Sequence, residues 1–309
     1  MRQLSTLTRA QGANRALIDG DVTPSGYSLT FAEEPVLVKG FRKMVRGLEY
    51  DVAELAVTTY LTAKEHGAAF TALPIFIVRD FHHGKTQVLE DGPIRTAADL
   101  TGKRVGVNRG YTVTAGVWAR AALADAGLDL SSVTWVLSGD EHVATYVPPA
   151  NVESAPEGRT LEELLLAGEL DAVVNAGIEN DAVVSLLPAD AAWDSLKETG
   201  FVPVNHLVVV RDDLIAEHPD LPVALFEAFA EAKRRYVARL QDGLAETKQD
   251  RNFQRFTEIT GDADPLPYGV EPNRAVLEKL MENAVAQGIL TQPVAIEDVF
   301  AAETLHLQG

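Results

Sequence analysis

Short runs of apolar, β-branched residues alternate along the whole chain with stretches whose apolar positions recur at helical spacing. The predicted strands are Leu29 to Phe31, Val52 to Val57, Ala72 to Val78, Arg104 to Val107, Val133 to Leu137, Ala172 to Val174 and Leu207 to Val210. Ala115 to Ala126 carries apolar residues at helical spacing and ends at Gly127, suited to a left-handed C-terminal cap. Thr160-Leu161-Glu162-Glu163 predicts another helix start, with Thr160 as N-cap and Glu163 completing a capping box; Gly168 stops that helix before a strand. After Pro219 the pattern is mostly helical to Leu240, and helical again from Asn273 to Gln287. Strand and helix in alternation predict an α/β protein.

The chain has 309 residues, and single cores stop growing near roughly 250–300 residues, so two lobes are expected. Thr96 to Val107 reads as a helical turn, Gly102, a basic pair and a strand, and the Gly110-Tyr111-Thr112 loop then precedes a helix. This order resembles the entry into the second lobe of solute-binding proteins. Gly and Pro beside strand patterns at Gly92-Pro93 and at Thr199 to Val204 predict the crossings, giving a first lobe of 1–93 and 200–309 and a second of 94–199.

Forty-five acidic residues against 27 basic ones give a formal charge of −18, a surface that repels nucleic acid and anionic lipid. An anion site must therefore be assembled locally from Arg, His and helix starts. The absence of cysteine excludes disulfides, thiolate nucleophiles and Cys-ligated metals. The N-terminal residues lack the apolar run of a secretory leader, and no apolar stretch approaches the roughly 20 residues of a membrane helix, so a cytoplasmic protein without a membrane partner is expected. The pattern leaves open a homo-oligomer.

Arg15-Ala16-Leu17-Ile18-Asp19-Gly20, Glu49-Tyr50-Asp51-Val52-Ala53-Glu54, the Arg79 to His83 turn, Tyr111-Thr112-Val113-Thr114 with Trp118 and Arg120, and Asp264-Pro265-Leu266-Pro267-Tyr268-Gly269-Val270 follow one another in an order that resembles the 4,5-dihydroxyphthalate decarboxylase family. The resemblance spans nearly the whole chain. It implies a two-lobed, periplasmic-binding-protein-like (type II) fold with a ligand cleft between the lobes, and removal of a carboxylate from a small hydroxyaromatic acid without an organic cofactor. Two stretches depart from the family pattern: Ala10-Gln11-Gly12-Ala13-Asn14 replaces an Asp-Tyr-Asp-like turn, and His82-His83-Gly84 replaces an Arg-His-Ser turn.

In open α/β lobes ligands sit beyond the carboxyl ends of strands, which selects the candidates. Arg79 can clamp a carboxylate with two parallel hydrogen bonds, or pair with a surface acid such as Asp80. His83 matches the family histidine and is the expected general acid, with His206 or His82 as its partner; each can instead be a hydrogen-bonded structural histidine. His82 and His83 are adjacent, which opposes a metal site built from the pair, and no metal is assigned. Thr58 and Thr59 after one strand, and Arg109, Tyr111, Thr112 and Thr114 after another, place hydroxyls and helix N-termini on both lobes, suited to two carboxylates or to plain helix caps. Asn175 can reach a ligand or simply form a turn. Glu54, inside a strand, is expected to pair with an Arg such as Arg46, or else to orient a histidine. His66, His142, His218 and His306 are expected to be exposed and without a role. The alternative function is capture of an aromatic or aliphatic carboxylate without catalysis, as in transporter-associated binding proteins. A third is another reaction on the same fold, such as a dehydration.

Overall fold

The computed structural model describes residues 1–188 and 190–309. The chain runs β1 (Arg2–Leu7), α1 (Arg15–Ile18), β2 (Tyr27–Phe31), α2 (Leu37–Gly47), β3 (Val52–Ala56), α3 (Val57–Glu65), β4 (Phe70–Arg79), β5 (Thr86–Leu89), β6 (Arg104–Val107), α4 (Thr114–Asp125), β7 (Thr134–Leu137) and β8 (Val152–Ser154). It continues through α5 (Leu161–Leu166), β9 (Ala172–Val174), β10 (Val183–Ser185), α6 (Ala191–Thr199), β11 (Val204–Arg211), α7 (Asp212–Glu217), α8 (Leu221–Gln241), α9 (Lys248–Thr260) and α10 (Arg274–Ala286).

The strands form two sheets, ordered β2-β1-β3-β11-β4 and β10-β5-β9-β6-β7-β8. In the first, β1 lies parallel to β2 and β3, whereas β11 is antiparallel to both β3 and β4. β1, β3 and β4 therefore end at one edge, and β11 begins there. In the second, β6 lies parallel to β7 and β9, so their carboxyl ends share an edge too. The loops at those two edges meet where Thr58 bonds Thr112 and Thr114.

Both faces of the first sheet are covered, as near-continuous apolar strands require. Leu4, Leu73, Ile75, Val208 and Val210 pack with Leu221, Leu225 and Phe229 of α8 on one face. Leu7, Ala53, Leu55, Phe76, Leu207 and Val209 join the larger core on the other. α8 begins with Pro222 in its first turn, where a missing N–H removes no helical bond. Among the described residues no helix is long and apolar enough to cross a membrane.

The outward crossing lies between Arg79 and Thr86, earlier than Gly92-Pro93, because β5 already belongs to the second sheet. Its four residues, TQVL, alternate in burial over too short a span to show a period. The return falls between Ser185 and Val204. Val57 opens α3 instead of closing β3.

Candidate active site

Glu54 lies in β3 with 1% of its surface exposed. One carboxylate oxygen stands 2.6 Å from His206 Nδ1 on the neighbouring β11. The other accepts from Thr8 Oγ1 at 2.8 Å and from the Arg9 backbone N–H at 3.0 Å, just past the end of β1. Asn14 secures that turn by donating to Thr8 Oγ1 and to the Arg9 carbonyl, each at 3.0 Å. Burial pushes the Glu54 pKa up, but the hydrogen bond and charge of His206 and the donors at Arg9 and Thr8 outweigh it and hold the group below the usual carboxylate range. An ionised Glu54 fixes the proton on His206 Nδ1 and leaves Nε2 as the outward atom. The ring keeps 20% of its side-chain surface open and stands edge-on to Phe41 of α2, with centroids 5.3 Å apart. Glu54 therefore orients a histidine; Arg46, the partner expected from the sequence, instead bonds Asp140 and the carbonyls of Glu141 and His142.

The two helix starts meet each other across the lobes. Thr58 Oγ1 donates to the Thr112 carbonyl at 2.5 Å, and the Thr58 N–H donates to Thr114 Oγ1 at 2.9 Å. The start of α4 already holds an anion from the protein itself. Glu141 accepts from the backbone N–H groups of Tyr111 and Thr112 and, at 2.7 Å, from Thr112 Oγ1. A Cβ at Gly110 would lie 2.7 Å from that carboxylate, which explains the glycine. Thr58, Thr112 and Thr114 are thus engaged in closing the lobes, Tyr111 is held by Glu141 and Arg120, and the expectation of two vacant, facing anion seats is corrected: a buried helix end must satisfy its N–H groups, and here internal oxygens do so. Arg42 and Arg46 of α2 complete the closure through Asp140, at 2.5 and 3.1 Å.

Arg79 is 4% exposed. It donates to the Pro267 carbonyl at 2.8 Å and Asn273 Oδ1 at 2.6 Å, and lines a separate cavity of about 150 Å³ with Phe201, Phe256, Asp262 and Asp264. Burial lowers its pKa to about 10, still charged at neutral pH. Its guanidinium ties the C-terminal segment to β4, a structural arrangement in place of the expected carboxylate clamp. His82 is 6% exposed, its ring nitrogens 3.3 Å from Asn175 Oδ1 and 2.8 Å from Asn205 Oδ1; burial lowers its pKa. It joins the two sheets where the chain crosses between them. His83 also has a pKa lowered by burial and borders a cavity of about 50 Å³ with Trp118, Asp125 and Lys279. The expected acid and its expected partner His206 are therefore on different elements with different surroundings, and His206 is the one carrying a carboxylate.

Arg109 is exposed, and partial desolvation followed by the charge of Arg9 lowers its pKa. Neither side chain has an acidic partner among the described residues. Arg109 and Asn175 both adopt left-handed backbone, with φ of 72° and 56°, at the carboxyl ends of β6 and β9. Strain of this kind costs of order 1 kcal/mol or more and gathers at ligand sites. Arg9 escaped sequence reasoning because a lone Arg after an unrecognised strand carries no pattern. His142 escaped because it follows an acidic, loop-like stretch, yet it is 2% exposed. Thr59, also buried, faces it. Among the described residues no three or more His, Asp or Glu side chains are grouped to hold a metal.

A family model described as NMT1/THI5 like matches residues 43–239. A Comamonas testosteroni protein named 4,5-dihydroxyphthalate decarboxylase is 31% identical over 98% of this chain and 98% of its own length. A Pseudomonas putida protein of the same name is 39% identical over 52% of this chain and 65% of its own. Among solved structures, the periplasmic aliphatic sulphonate binding protein SsuA from Escherichia coli superposes with a TM-score of 0.53 at 14% identity, covering 97% of this chain and 92% of that one. The desulfurization enzyme DSZB does so with a TM-score of 0.54 at 16% identity, covering 99% and 98%. These superpositions bear on the fold, which is the two-lobed periplasmic-binding-protein type.

Proposed function

Because the chain belongs to the 4,5-dihydroxyphthalate decarboxylase family, within the NMT1/THI5-like group, we propose that it removes a carboxylate from a small hydroxyaromatic acid. The observation that carries this reading is the Glu54–His206 pair on β3 and β11, together with two arginines, Arg9 and Arg109, that have no acidic partner among the described residues. His206 is the proton donor. A ring hydroxyl pushes electron density toward the carboxyl-bearing carbon, and protonated Nε2 delivers a proton to that carbon. The carbon–carbon bond then breaks, its electron pair restores the aromatic ring, and carbon dioxide leaves. One proton enters from solvent through the open part of the imidazole for each carbon dioxide released, and no electron is gained or lost. Glu54 holds the Nδ1 proton and stabilises the imidazolium. Arg9 and Arg109 supply the charge that orients the carboxylates, which offsets the repulsion of an acidic surface.

Incubation with 4,5-dihydroxyphthalate and related hydroxybenzoates, followed by mass spectrometry for loss of carbon dioxide, tests the proposal. Product that disappears in His206→Ala supports it. Tight binding with no product would replace it by a ligand-capturing role, which the fold also serves.

A further inference from the structure

His142 is buried, with Nδ1 3.4 Å from Thr59 Oγ1, and its Nε2 has no hydrogen-bond partner among the described residues. Its ring stands edge-on to Phe41, with centroids 6.1 Å apart, on the same phenyl group that supports His206 at 5.3 Å. Two imidazoles, one from the loop after β7 and one from β11, thus share a single aromatic support from opposite lobes. A buried ring nitrogen without a partner destabilises a fold, and an apolar side chain of similar size would not incur that loss. Arg42 and Arg46 of α2, Arg109 of the loop after β6 and Asp140 of its own loop are the charged groups around it. Burial, then the charges of Arg42 and Arg109, push its pKa down to about 4, so the ring is neutral in ordinary buffers. In the tautomer that directs the Nδ1 proton at Thr59, Nε2 presents a lone pair.

We propose that His142 is a ligand-contacting residue whose Nε2 accepts a hydrogen bond from the ring hydroxyl of the bound aromatic acid. This rests on the hydroxyaromatic reading above. Drawing on the phenolic hydrogen raises electron density in the ring, which assists protonation at the carboxyl-bearing carbon.

The test compares His142→Leu and His142→Gln with the unaltered protein. It measures thermal unfolding and calorimetric affinity for 4,5-dihydroxyphthalate and for phthalate, which lacks the hydroxyls. The expected result is a melting temperature in His142→Leu equal to or above that of the unaltered protein, with affinity for the hydroxylated acid about tenfold weaker. Affinity for phthalate should be unchanged, and His142→Gln should recover part of the loss. Equal effects on both acids, or none on either, would overturn the assignment of His142 alone. Failure of the unaltered protein to bind either acid would overturn the substrate class together with it.

Discussion

Replacing Glu54 by Gln keeps the volume and changes which atoms can accept. The carboxylate takes three hydrogen bonds, from His206 Nδ1 at 2.6 Å, Thr8 Oγ1 at 2.8 Å and the Arg9 N–H at 3.0 Å. A glutamine has one accepting oxygen. The Arg9 amide can only donate, so the amide oxygen must stay on that side and the NH₂ group must face His206. The imidazole then has to accept through Nδ1, which moves its proton to Nε2 and removes the anion that stabilises the charged ring. Losing a positioned acid–base group typically lowers turnover by about 10²–10⁴, or roughly 3–5 kcal/mol in the barrier. Stability changes less: charge-assisted hydrogen bonds are worth about 1.5–3 kcal/mol each, but the substitution also relieves the desolvation of a buried carboxylate. The assays are carbon dioxide release at saturating substrate, and nitrogen NMR to find which ring atom of His206 carries the proton. Turnover within about threefold of the unaltered protein, with Nδ1 still protonated, would refute the reasoning.

Arg9→Gln and Arg109→Gln should each raise KM by about tenfold or more, with little change in kcat or melting temperature, since neither side chain supports an ion pair; steady-state kinetics and calorimetric unfolding check this. Gly110→Ala should drive the Glu141 carboxylate off the start of α4 and destabilise by about 1–3 kcal/mol, seen as a lower denaturant midpoint at constant slope. His142 gives stability a defined acid limb. Above pH about 6.5 neither the folded nor the unfolded imidazole is charged. Between there and the folded value of about 4 only the unfolded ring takes up a proton, so stability falls as the pH drops, by about 3 kcal/mol from this residue. His82 and His83, also lowered by burial, steepen the same limb, and denaturant titrations from pH 7 to 4 should show a shallower decline in His142→Leu.

Strands buried on both faces were legible because they are unbroken apolar runs: β6 and β9 fall at their expected residues, and β3, β4, β7 and β11 differ only at their ends. The capping box at Thr160 and Glu163 forms as expected. β8 and β10 have three residues each and are mostly exposed, so they leave no pattern. β1 leaves no strand pattern because RQLSTL mixes polar residues with two leucines. In the site, residue types were readable but pairings were not. Thr58 and Thr112 announce helix starts, yet nothing in a linear sequence says that a carboxylate 29 residues beyond Thr112 will occupy one of them. Likewise Glu54 and His206 are 152 positions apart, and only the antiparallel seating of β11 brings them together.

That seating also governs how the chain reaches its native state. Among the described residues β4 has β11 as its sole ladder partner in the first sheet, so residues 70–79 emerge from the ribosome with that flank bare until Val204–Arg211 arrives. Ribosome-bound chains ending before residue 204 should therefore expose an apolar ribbon that later ones conceal. Closing so distant a pairing slows folding and makes the half-made protein a client for chaperones, whereas the second sheet, whose strands all lie within residues 86–185, can assemble while synthesis is still under way.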